Sequence, residues 1–423
     1  MNFHISNVRN TQGEIHDIWI ESERIVSNPS SGIKYDAIDG SGLTALPGFV
    51  DLHTHLREPG REDAETVLTG SQAAVAGGYT AISAMPNTLP VADTAGVVEQ
   101  VFRLGKHHKL CDVYPIGAVT LGQKGEHLAE LSAMNQSEAG VRIFSDDGHC
   151  VADPLVMRRA LEYVKTFDGI IAQHAQDPRL TENAQMNEGE VSARLGLKGW
   201  PAVAEEAIIA RDVLLTEHVD SRLHVCHLTT AGGVEIIREA KRRGIKVTAE
   251  VTPHHLLLTD DLVESYDPVY KVNPPLRTSR DVNALRQGLA DGTIDVIATD
   301  HAPHPQEAKD CEWSAAAFGM LGLETAFSIG FLTMVKSGLM TLDGLIERMS
   351  SKPAQIAQYA DQGRIAPGAR ANLTLVDLEA EWRVDRALLH SKSRNTPFHE
   401  LVFPGLVMKT FHNGALVFDR GVQ

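Results

Sequence analysis

The sequence is poor in cysteine and has no long apolar run. Its four cysteines are far apart and include no Cys-x-x-Cys pair (Cys111, Cys150, Cys226 and Cys311). This spacing is typical of reduced thiols in a cytoplasmic protein, and it leaves a disulfide open. No uninterrupted apolar stretch approaches the ~20 residues of a membrane-spanning helix, and the N-terminus lacks the basic and apolar segments of an export signal. We therefore expect a cytoplasmic protein without a membrane partner.

Positive charge is scarce as well. The chain has 39 Lys and Arg residues against 55 Asp and Glu residues, a formal net charge of −16. So acidic a chain repels phosphate backbones, which argues against a nucleic-acid partner. An anionic small molecule remains compatible with this charge, provided that metal ions or a well-placed arginine supply positive charge at its site.

The chain does contain enough apolar sequence for a large core, since 43% of its 423 residues are hydrophobic. Between the two ends, strand-like segments alternate with helical ones, and eight strands are predicted (49–55, 80–85, 112–119, 140–145, 169–174, 222–228, 245–251 and 294–300). Eight strands that alternate with helices favour a parallel (β/α)8 TIM-type barrel of the α/β class over an open sheet.

The two chain ends have a different pattern, typical of short β-strands. Residues 15–25 and 372–377 are strand-like, and Asn413-Gly414 stands between two apolar runs, which is a strong hairpin signal. Neither end is long enough to bury a core of its own. We therefore expect residues 1–46 and 366–423 to form one composite β domain, a small β-sandwich, beside a barrel domain of residues 47–365.

The first barrel strand is followed by two histidines. An apolar run from Phe49 to Leu52 reads as a buried strand, and His53 and His55 follow at a spacing of two. Side chains at this spacing leave a strand on the same face, so two imidazoles could bind a single cation. The alternative is that one histidine packs in the core while the other caps a loop.

Further metal-capable residues favour the first of these interpretations. They follow the fourth, fifth, sixth and eighth predicted strands (Asp146-Asp147, His174, His227 and Asp300). In a (β/α)8 barrel the carboxyl ends of the strands converge on one face, where the active sites of this fold are found. Histidine and aspartate together suit zinc-like divalent metals. The pattern thus predicts a metal site at this face.

These residues resemble the amidohydrolase superfamily of metal-dependent barrel hydrolases, in which His53-x-His55 and the segment Ile297-Ala-Thr-Asp-His-Ala-Pro-His304 have counterparts. Within the superfamily, five longer motifs resemble type I dihydroorotases: His55-Leu-Arg-Glu-Pro-Gly60, Met85-Pro-Asn-Thr88, Phe144-Ser-Asp-Asp-Gly148, Asn273-Pro-Pro-Leu-Arg277 and Asn395-Thr-Pro-Phe398. The resemblance runs from the first predicted domain to the last and covers nearly the whole chain.

The resemblance implies a zinc centre with six ligands: His53, His55, Asp147, His174, His227 and Asp300. Many superfamily members carry a lysine after the fourth strand, and its carboxylated form bridges two metals. Asp146-Asp147 stands at that place here, as in a bacterial branch of the type I dihydroorotases. The resemblance assigns the ligand position to Asp147 and leaves Asp146 as a capping or supporting residue. Because aspartate is shorter than carboxylated lysine, the number of zinc ions, one or two, stays open.

The resemblance also implies the reaction, the reversible cyclisation of N-carbamoyl-L-aspartate to L-dihydroorotate in de novo pyrimidine (UMP) biosynthesis. In the hydrolytic direction, a metal-bound hydroxide attacks the ring amide carbonyl, since zinc lowers the pKa of its water to about 7. Asp300 is expected to act as general acid and base. A role for Asp300 as ligand alone is the alternative.

The substrate carries a carboxylate that needs a cation on so acidic a protein. Arg57 lies two residues beyond His55 and can offer it a bidentate fork. The alternative for Arg57 is a surface ion pair. By resemblance, further substrate contacts are expected from Asn87, Asn273, His304, Phe318 and Gly319, the last two through their backbone. His149, His254 and His255 have no predicted role.

Three other functions are alternatives to this one. A hydantoinase would carry the lysine after the fourth strand, and an allantoinase would carry a small polar residue in place of Arg57. A dihydroorotase-like scaffold subunit for aspartate transcarbamoylase would have lost metal ligands, whereas all six positions are kept here. The expected partner is therefore the small-molecule substrate. A homodimer and an association with aspartate transcarbamoylase both stay open.

Overall fold

The computed structural model describes residues 1–422 and shows a mixed α/β chain. Its central region carries parallel strands and most of the helices, and its two ends carry a largely antiparallel sheet. A short parallel pair, Met186–Asn187 with Gly199–Trp200, lies outside both sheet systems.

Eight strands of the central region pair in parallel, in two sheets. One sheet contains Phe49–Thr54, Tyr79–Ala84 and Asp112–Pro115, and the other contains Ile143–Phe144, Ile170–Gln173, Leu223–Val225, Val247–Val251 and Val296–Ile297. Single parallel bridges join the two sheets at both edges, one between Gly117 and Phe144 and the other between Thr54 and His301. A strand is present at each of the eight predicted positions, and most are shorter than predicted.

Helices follow most of these strands. Their bounds are Val67–Ala76, Ala95–His108, Leu131–Gln136, Pro154–Lys165, Glu190–Leu195, Val203–Val219, Ala231–Arg242, Pro253–Leu257, Ser279–Asp291, Gln306–Lys309, Ala326–Gly330, Phe331–Lys336, Leu342–Ile346, Glu347–Ser351 and Lys352–Ala357, with short 3-10 turns at Leu121–Gln123, Asp260–Ser265, Pro268–Tyr270, Arg386–Leu388 and Arg420–Val422. Several begin at a side-chain cap, such as Asp153 and Thr230, whose oxygens accept backbone N–H groups of the first turn. Within residues 1–422, no helix is both long and apolar enough to cross a membrane.

The two chain ends share one sheet of eight strands. Its order is Ala415–Asp419, Val402–His412, Leu373–Arg383, Thr44–Pro47, Asn2–Arg9, Ile15–Glu21 and Arg24–Val26, with Asp36–Asp39 pairing beside Asn2–Arg9. The pairing between the ends is antiparallel and joins Leu373 to Pro47 and Val376 to Thr44. One face of this sheet buries Phe3, Ile5 and Leu373, among others, and each such side chain contributes roughly 1.5–3 kcal/mol through burial.

Turn chemistry explains two details of this sheet. The predicted hairpin at Asn413-Gly414 is confirmed, and both residues have positive φ, as a two-residue hairpin turn of type I′ requires. The prediction of one strand over residues 15–25 was wrong. Ser22 adopts a φ of +56°, so the chain turns there, and Ile15–Glu21 pairs with Arg24–Val26 as a hairpin.

Candidate metal centre and active site

His53 lies near the end of the first parallel strand, Phe49–Thr54, and its side chain is fully buried. The Nδ1 atom of His53 lies 2.6 Å from Oε1 of Glu250. A carboxylate bonded to one ring nitrogen fixes the orientation of the imidazole. The other nitrogen, Nε2, therefore faces Asp147 and Asp300, with a distance of 3.4 Å to a carboxylate oxygen of each.

His55 is oriented in the same way by a different partner. Its Nδ1 lies 2.9 Å from Oδ1 of Asn87. Its Nε2 lies 3.0 Å from Oδ1 of Asp300 and 3.3 Å from Oδ2 of Asp147. The two histidines of the His-x-His pair thus face the same two carboxylates, as their spacing along the strand predicts.

Asp147 lies between this pair and a second pair of histidines. Its Oδ1 is 3.2 Å from Nδ1 of His174 and 3.2 Å from Nε2 of His227, and these two ring nitrogens are 2.8 Å apart. The potential ligand atoms of His53, His55 and Asp147 lie within 4.8 Å of one another, and so do those of Asp147, His174 and His227. Each oxygen of Asp147 therefore faces one histidine pair.

The neighbouring aspartate has a structural environment. One oxygen of Asp146 accepts the backbone N–H groups of Val119 and Thr120, at 2.8 and 3.0 Å, and the other accepts the Thr120 hydroxyl. The side-chain oxygens of Asp146 thus accept hydrogen bonds from the loop that follows the third strand. Asp147 is the member of the pair that faces the histidines.

Two residues of the cluster have unusual backbone geometry. His227 and Asp300 adopt φ values of +31° and +46°, a region that side chains other than glycine rarely occupy. Residues held in such conformations concentrate at active sites. Both lie just beyond the last residue of a parallel strand, where the chain passes into its loop.

The electrostatics keep both carboxylates ionised. Burial alone would raise the pKa of Asp300, but the charge of His53 and the hydrogen bond from His55 outweigh it and lower that pKa to about 2. The pKa of Asp147 is also lowered, because the charge of His53 and hydrogen bonds from His174 and His227 outweigh burial.

This cluster fits a divalent metal. The buried Nε2 of His53 has no hydrogen-bond partner within residues 1–422, yet two carboxylates face it. A buried polar atom without a partner is costly, and a bound cation would remove that cost. Four imidazoles and two carboxylates are also the donor types that zinc-like ions prefer.

Arg57 lies beside the cluster and is almost fully buried, with 6% of its surface exposed. Its Nε–H donates to the carbonyl of Pro303 at 3.1 Å, while its terminal N–H groups contact no acceptor within the described chain. Burial lowers the pKa of Arg57 to about 10, so the side chain stays charged near neutral pH. A buried cation with unused donors is suited to bind an anion.

The other predicted substrate contacts form two groups. On the Arg57 side, Nε2 of His304 lies 2.8 Å from the carbonyl of Phe318, and the Gly319 N–H donates to the carbonyl of Lys271 at 3.0 Å. Burial and the charge of Arg57 lower the pKa of His304 to about 3, so its ring is neutral and donates to Phe318. In this arrangement the Gly319 N–H is already used within the protein.

Of the remaining two candidates, Asn87 contacts a metal-ligand candidate directly, and Asn273 is connected to one through Gln176. The Oδ1 of Asn87 faces His55, as described above. On the far side, Nδ2 of Asn273 donates to Oε1 of Gln176 at 3.3 Å, and the same oxygen lies 2.7 Å from Nε2 of His174. The buried Oδ1 of Asn273 has no partner in residues 1–422, so it is available to a ligand.

Sequence reasoning missed Glu250, whose two oxygens contact Nδ1 of His53, Nε2 of His224 and the backbone N–H of His227. Its one sequence signal was its place in the predicted strand 245–251.

Three histidines have no predicted role, and the first of them, His149, is exposed. Another of the three, His255, has ring nitrogens that contact the Thr252 hydroxyl and the backbone carbonyl of Pro274.

The remaining one, His254, is a neighbour of the centre. Burial lowers its pKa to about 4, and the charges of Asp300, His227 and His53 also act on it. Its Nε2 has no hydrogen-bond partner in the part of the chain that the structure describes.

Comparison with known proteins points to one family. A family model described as Dihydro-orotase-like matches residues 42–232. The dihydroorotase of Streptomyces coelicolor is 64% identical over 412 residues, which cover 97% of this chain and 96% of that protein. The dihydroorotase of Mycobacterium tuberculosis is 53% identical over 414 residues, with 97% and 96% coverage. The chain belongs to the dihydroorotase family. The family that the motifs predicted is thereby confirmed.

Solved structures agree on the fold of this dihydroorotase-family chain. The L-hydantoinase (dihydropyrimidinase) of Arthrobacter aurescens matches with a TM-score of 0.85 and 25% identity, covering 99% of this chain and 96% of that one. The dihydropyrimidinase of Brevibacillus agri matches with a TM-score of 0.84 and 23% identity, covering 99% and 95%. The chain therefore has the mixed α/β fold of the amidohydrolases.

Proposed function

We propose that this chain is an active dihydroorotase, which interconverts N-carbamoyl-L-aspartate and L-dihydroorotate in pyrimidine biosynthesis. The observation that carries the proposal is Arg57, a buried cation with unused donors beside a cluster of histidines and aspartates. Relatives named dihydroorotase, 53–64% identical over nearly the full length, support it. Dihydroorotate carries a carboxylate that such a cation would bind, whereas hydantoin has none.

The metal proposed for the cluster is zinc, with one ion held by His53, His55, Asp147 and Asp300 and a second by Asp147, His174 and His227. The two ligand groups that share Asp147 support two ions instead of one. When bound, zinc supplies a water that is ionised near neutral pH and a Lewis acid for the carbonyl oxygen. The presence of histidine or aspartate at all six ligand positions favours a catalyst over a metal-free scaffold subunit.

Asp300 is proposed to transfer the proton. Its carboxylate is ionised and lies 3.0 Å from His55 Nε2, within the cluster, so it can accept a proton from the attacking water and return it to the ring nitrogen that leaves. Arg57 would bind the substrate carboxylate and so orient the ring, with His304 on the same side. The buried Oδ1 of Asn273 would accept an N–H of the ring.

The fold proposed around this site is a closed (β/α)8 barrel of residues 47–365 with a composite β domain of residues 1–46 and 366–423. The parallel bridges at both edges of the two central sheets support closure. The antiparallel pairing of Leu373–Val376 with residues 44–47 supports the composite domain. The active site would then lie at the carboxyl ends of the barrel strands, as in other barrels of this kind.

The test is turnover of dihydroorotate and of hydantoin by the same sample, with its metal content measured in parallel. We expect turnover of dihydroorotate at a kcat/KM far above that for hydantoin, and zinc in the protein. Equal or faster turnover of hydantoin would overturn the substrate assignment. A metal-free protein with full activity would overturn the assigned chemistry.

A further inference from the structure

Asn395, in the Asn395-Thr-Pro-Phe398 motif near the C-terminus, is not explained by the proposed reaction. Its side chain is buried, with 6% of the residue exposed. It lies far along the chain from every candidate ligand, in a segment without regular secondary structure between Arg386–Leu388 and Val402–His412. A buried amide outside a helix or strand needs partners for all its donors and acceptors.

All of these partners belong to the loops that flank the substrate side of the site. The Nδ2 of Asn395 donates to the carbonyls of Ala302 and Gly319, at 2.9 and 3.2 Å. Its Oδ1 accepts the backbone N–H of His304 at 3.1 Å, and its carbonyl accepts the N–H of Leu321 at 3.2 Å. Because two carbonyl acceptors lie on one side of the side-chain amide and an N–H donor lies on the other, the positions of Nδ2 and Oδ1 are determined.

These bonds fix the backbone on both sides of Pro303. The carbonyl of Pro303 is the acceptor for Nε of Arg57 at 3.1 Å. The side-chain amide of Asn395 therefore holds the peptide between Pro303 and His304, whose carbonyl orients Arg57. It also holds the carbonyl of Gly319, a residue that lies close to the His304 ring. A Cβ added at Gly319 would lie 2.8 Å from Nε2 of His304, which shows how closely these parts pack.

The segment that carries Asn395 is itself rigidly attached. The backbone N–H of Lys392 donates to Glu65 at 3.0 Å, and the Ser393 hydroxyl donates to the carbonyl of Ala64 at 2.7 Å. Residues 64 and 65 lie in the loop between the strand Phe49–Thr54 and the helix Val67–Ala76. Asn395 thus connects the loop after the first parallel strand with the loop after the last one.

We propose that Asn395 is a positioning residue for substrate binding, which sets the geometry of Arg57 and His304 through the backbone of residues 302–304. This inference rests on the proposed function, because it assigns Arg57 to the substrate carboxylate. Loss of the amide would leave the Ala302 carbonyl and the His304 N–H without the Asn395 side chain, so the 302–304 backbone should shift and Arg57 would lose its aligned acceptor. A misplacement of about 1 Å can reduce the rate by about 100-fold.

The test compares Asn395→Ala with Asn372→Ala. Asn372 is a matched control. It is buried, its Nδ2 donates to the carbonyl of Asp361 at 3.2 Å, and its Oδ1 accepts the N–H of Asn413 at 2.7 Å. It directly precedes the strand Leu373–Arg383 in the sheet of the chain ends. Both variants lose a comparable set of bonds. We expect Asn395→Ala alone to lower kcat/KM for dihydroorotate by about 10- to 100-fold, mainly through KM, with metal content unchanged.

Amide hydrogen exchange provides a readout that does not depend on activity. In Asn395→Ala, the His304 N–H should exchange at least about tenfold faster, since it loses its acceptor, and it should be unchanged in Asn372→Ala. If Asn395→Ala does not fold, Asn395→Asp is used instead. Its carboxylate has nearly the same size but cannot donate to Ala302 and Gly319, so the same loss of kcat/KM is expected.

Three outcomes decide the matter. Equal kcat/KM in the two alanine variants overturns the positioning role, whatever the exchange rates. Unchanged exchange at His304 in Asn395→Ala also overturns it. If the parent protein does not turn over dihydroorotate, the proposed function fails, and exchange at His304 alone then decides whether Asn395 holds this loop.

Discussion

Replacing Arg57 by methionine tests the substrate assignment directly, because the change removes the charge and the hydrogen-bond donors while keeping an unbranched side chain. Arg57 is buried, bonded through Nε to Pro303, and has terminal N–H groups that contact no acceptor in residues 1–422. Its pKa of about 10 leaves it protonated by about a thousand to one at pH 7. A carboxylate placed against it would gain two charge-assisted hydrogen bonds.

The size of the effect follows from those two bonds. Hydrogen bonds to charged groups contribute roughly 1.5–3 kcal/mol each, so the pair contributes ~3–6 kcal/mol. Coulomb's law gives a similar figure, about 4 kcal/mol for unit charges about 4 Å apart at an effective dielectric of about 20. Since each ~1.4 kcal/mol is a factor of ten, kcat/KM for dihydroorotate should fall by about two to four orders of magnitude.

The assay is steady-state turnover of dihydroorotate, with metal content measured on the same preparations. Metal content should not change, because Arg57 is not a candidate ligand. Arg61→Met is the matched control, since Arg61 is an exposed arginine four residues further along, and it should stay within a few-fold of the parent. Arg57→Lys should fall between the parent and Arg57→Met, because lysine keeps the charge but loses the planar fork. Turnover by Arg57→Met within a few-fold of the parent would refute the reasoning.

The remaining predictions concern the metal and the pH. The double variant His53→Ala, His55→Ala should lose bound divalent metal, measured by elemental analysis after dialysis. Glu250→Gln should weaken metal affinity by about 10- to 100-fold, measured by competition with a chelator, because one nitrogen of His53 loses its carboxylate. Burial and the charge of Lys271 lower the pKa of Lys309 from 10.5 to about 7. Between those pH values the native state binds fewer protons than the unfolded state, so the free energy of unfolding should rise with pH. In Lys309→Met this rise should be smaller, as measured by urea unfolding.

Each of these has its own control or contrary result. Unchanged metal content in the double variant would show that the assigned site is wrong. Asp295→Asn is the control for Glu250→Gln, since Asp295 is a buried carboxylate that contacts Lys241 and the Ala249 N–H and no candidate ligand. Equal metal affinity in the two variants would contradict the role of Glu250. For Lys309, the same pH slope in parent and variant would show that another group titrates in that range.

Local sequence determined much of this protein. The alternation of apolar strands and amphipathic helices predicted the positions of all eight parallel strands, because side-chain periodicity depends on backbone geometry alone. The two-residue period of a strand made His53 and His55 face the same carboxylates. The positive φ values of Asn413 and Gly414 followed from residues that tolerate that conformation. In each case the local structure depends on residues that are close together in the sequence.

The tertiary structure decided what depends on distant parts of the chain. Asp146 and Asp147 are chemically identical neighbours, and they differ because the N–H groups of Val119 and Thr120 bind the first and leave the second to face the histidines. His53 is oriented by Glu250, 197 residues away. The Gly319 N–H, expected to contact substrate, donates to Lys271. Such pairings depend on how strands and loops meet in space, and no periodicity or local motif in the sequence specifies the partner of a buried polar group.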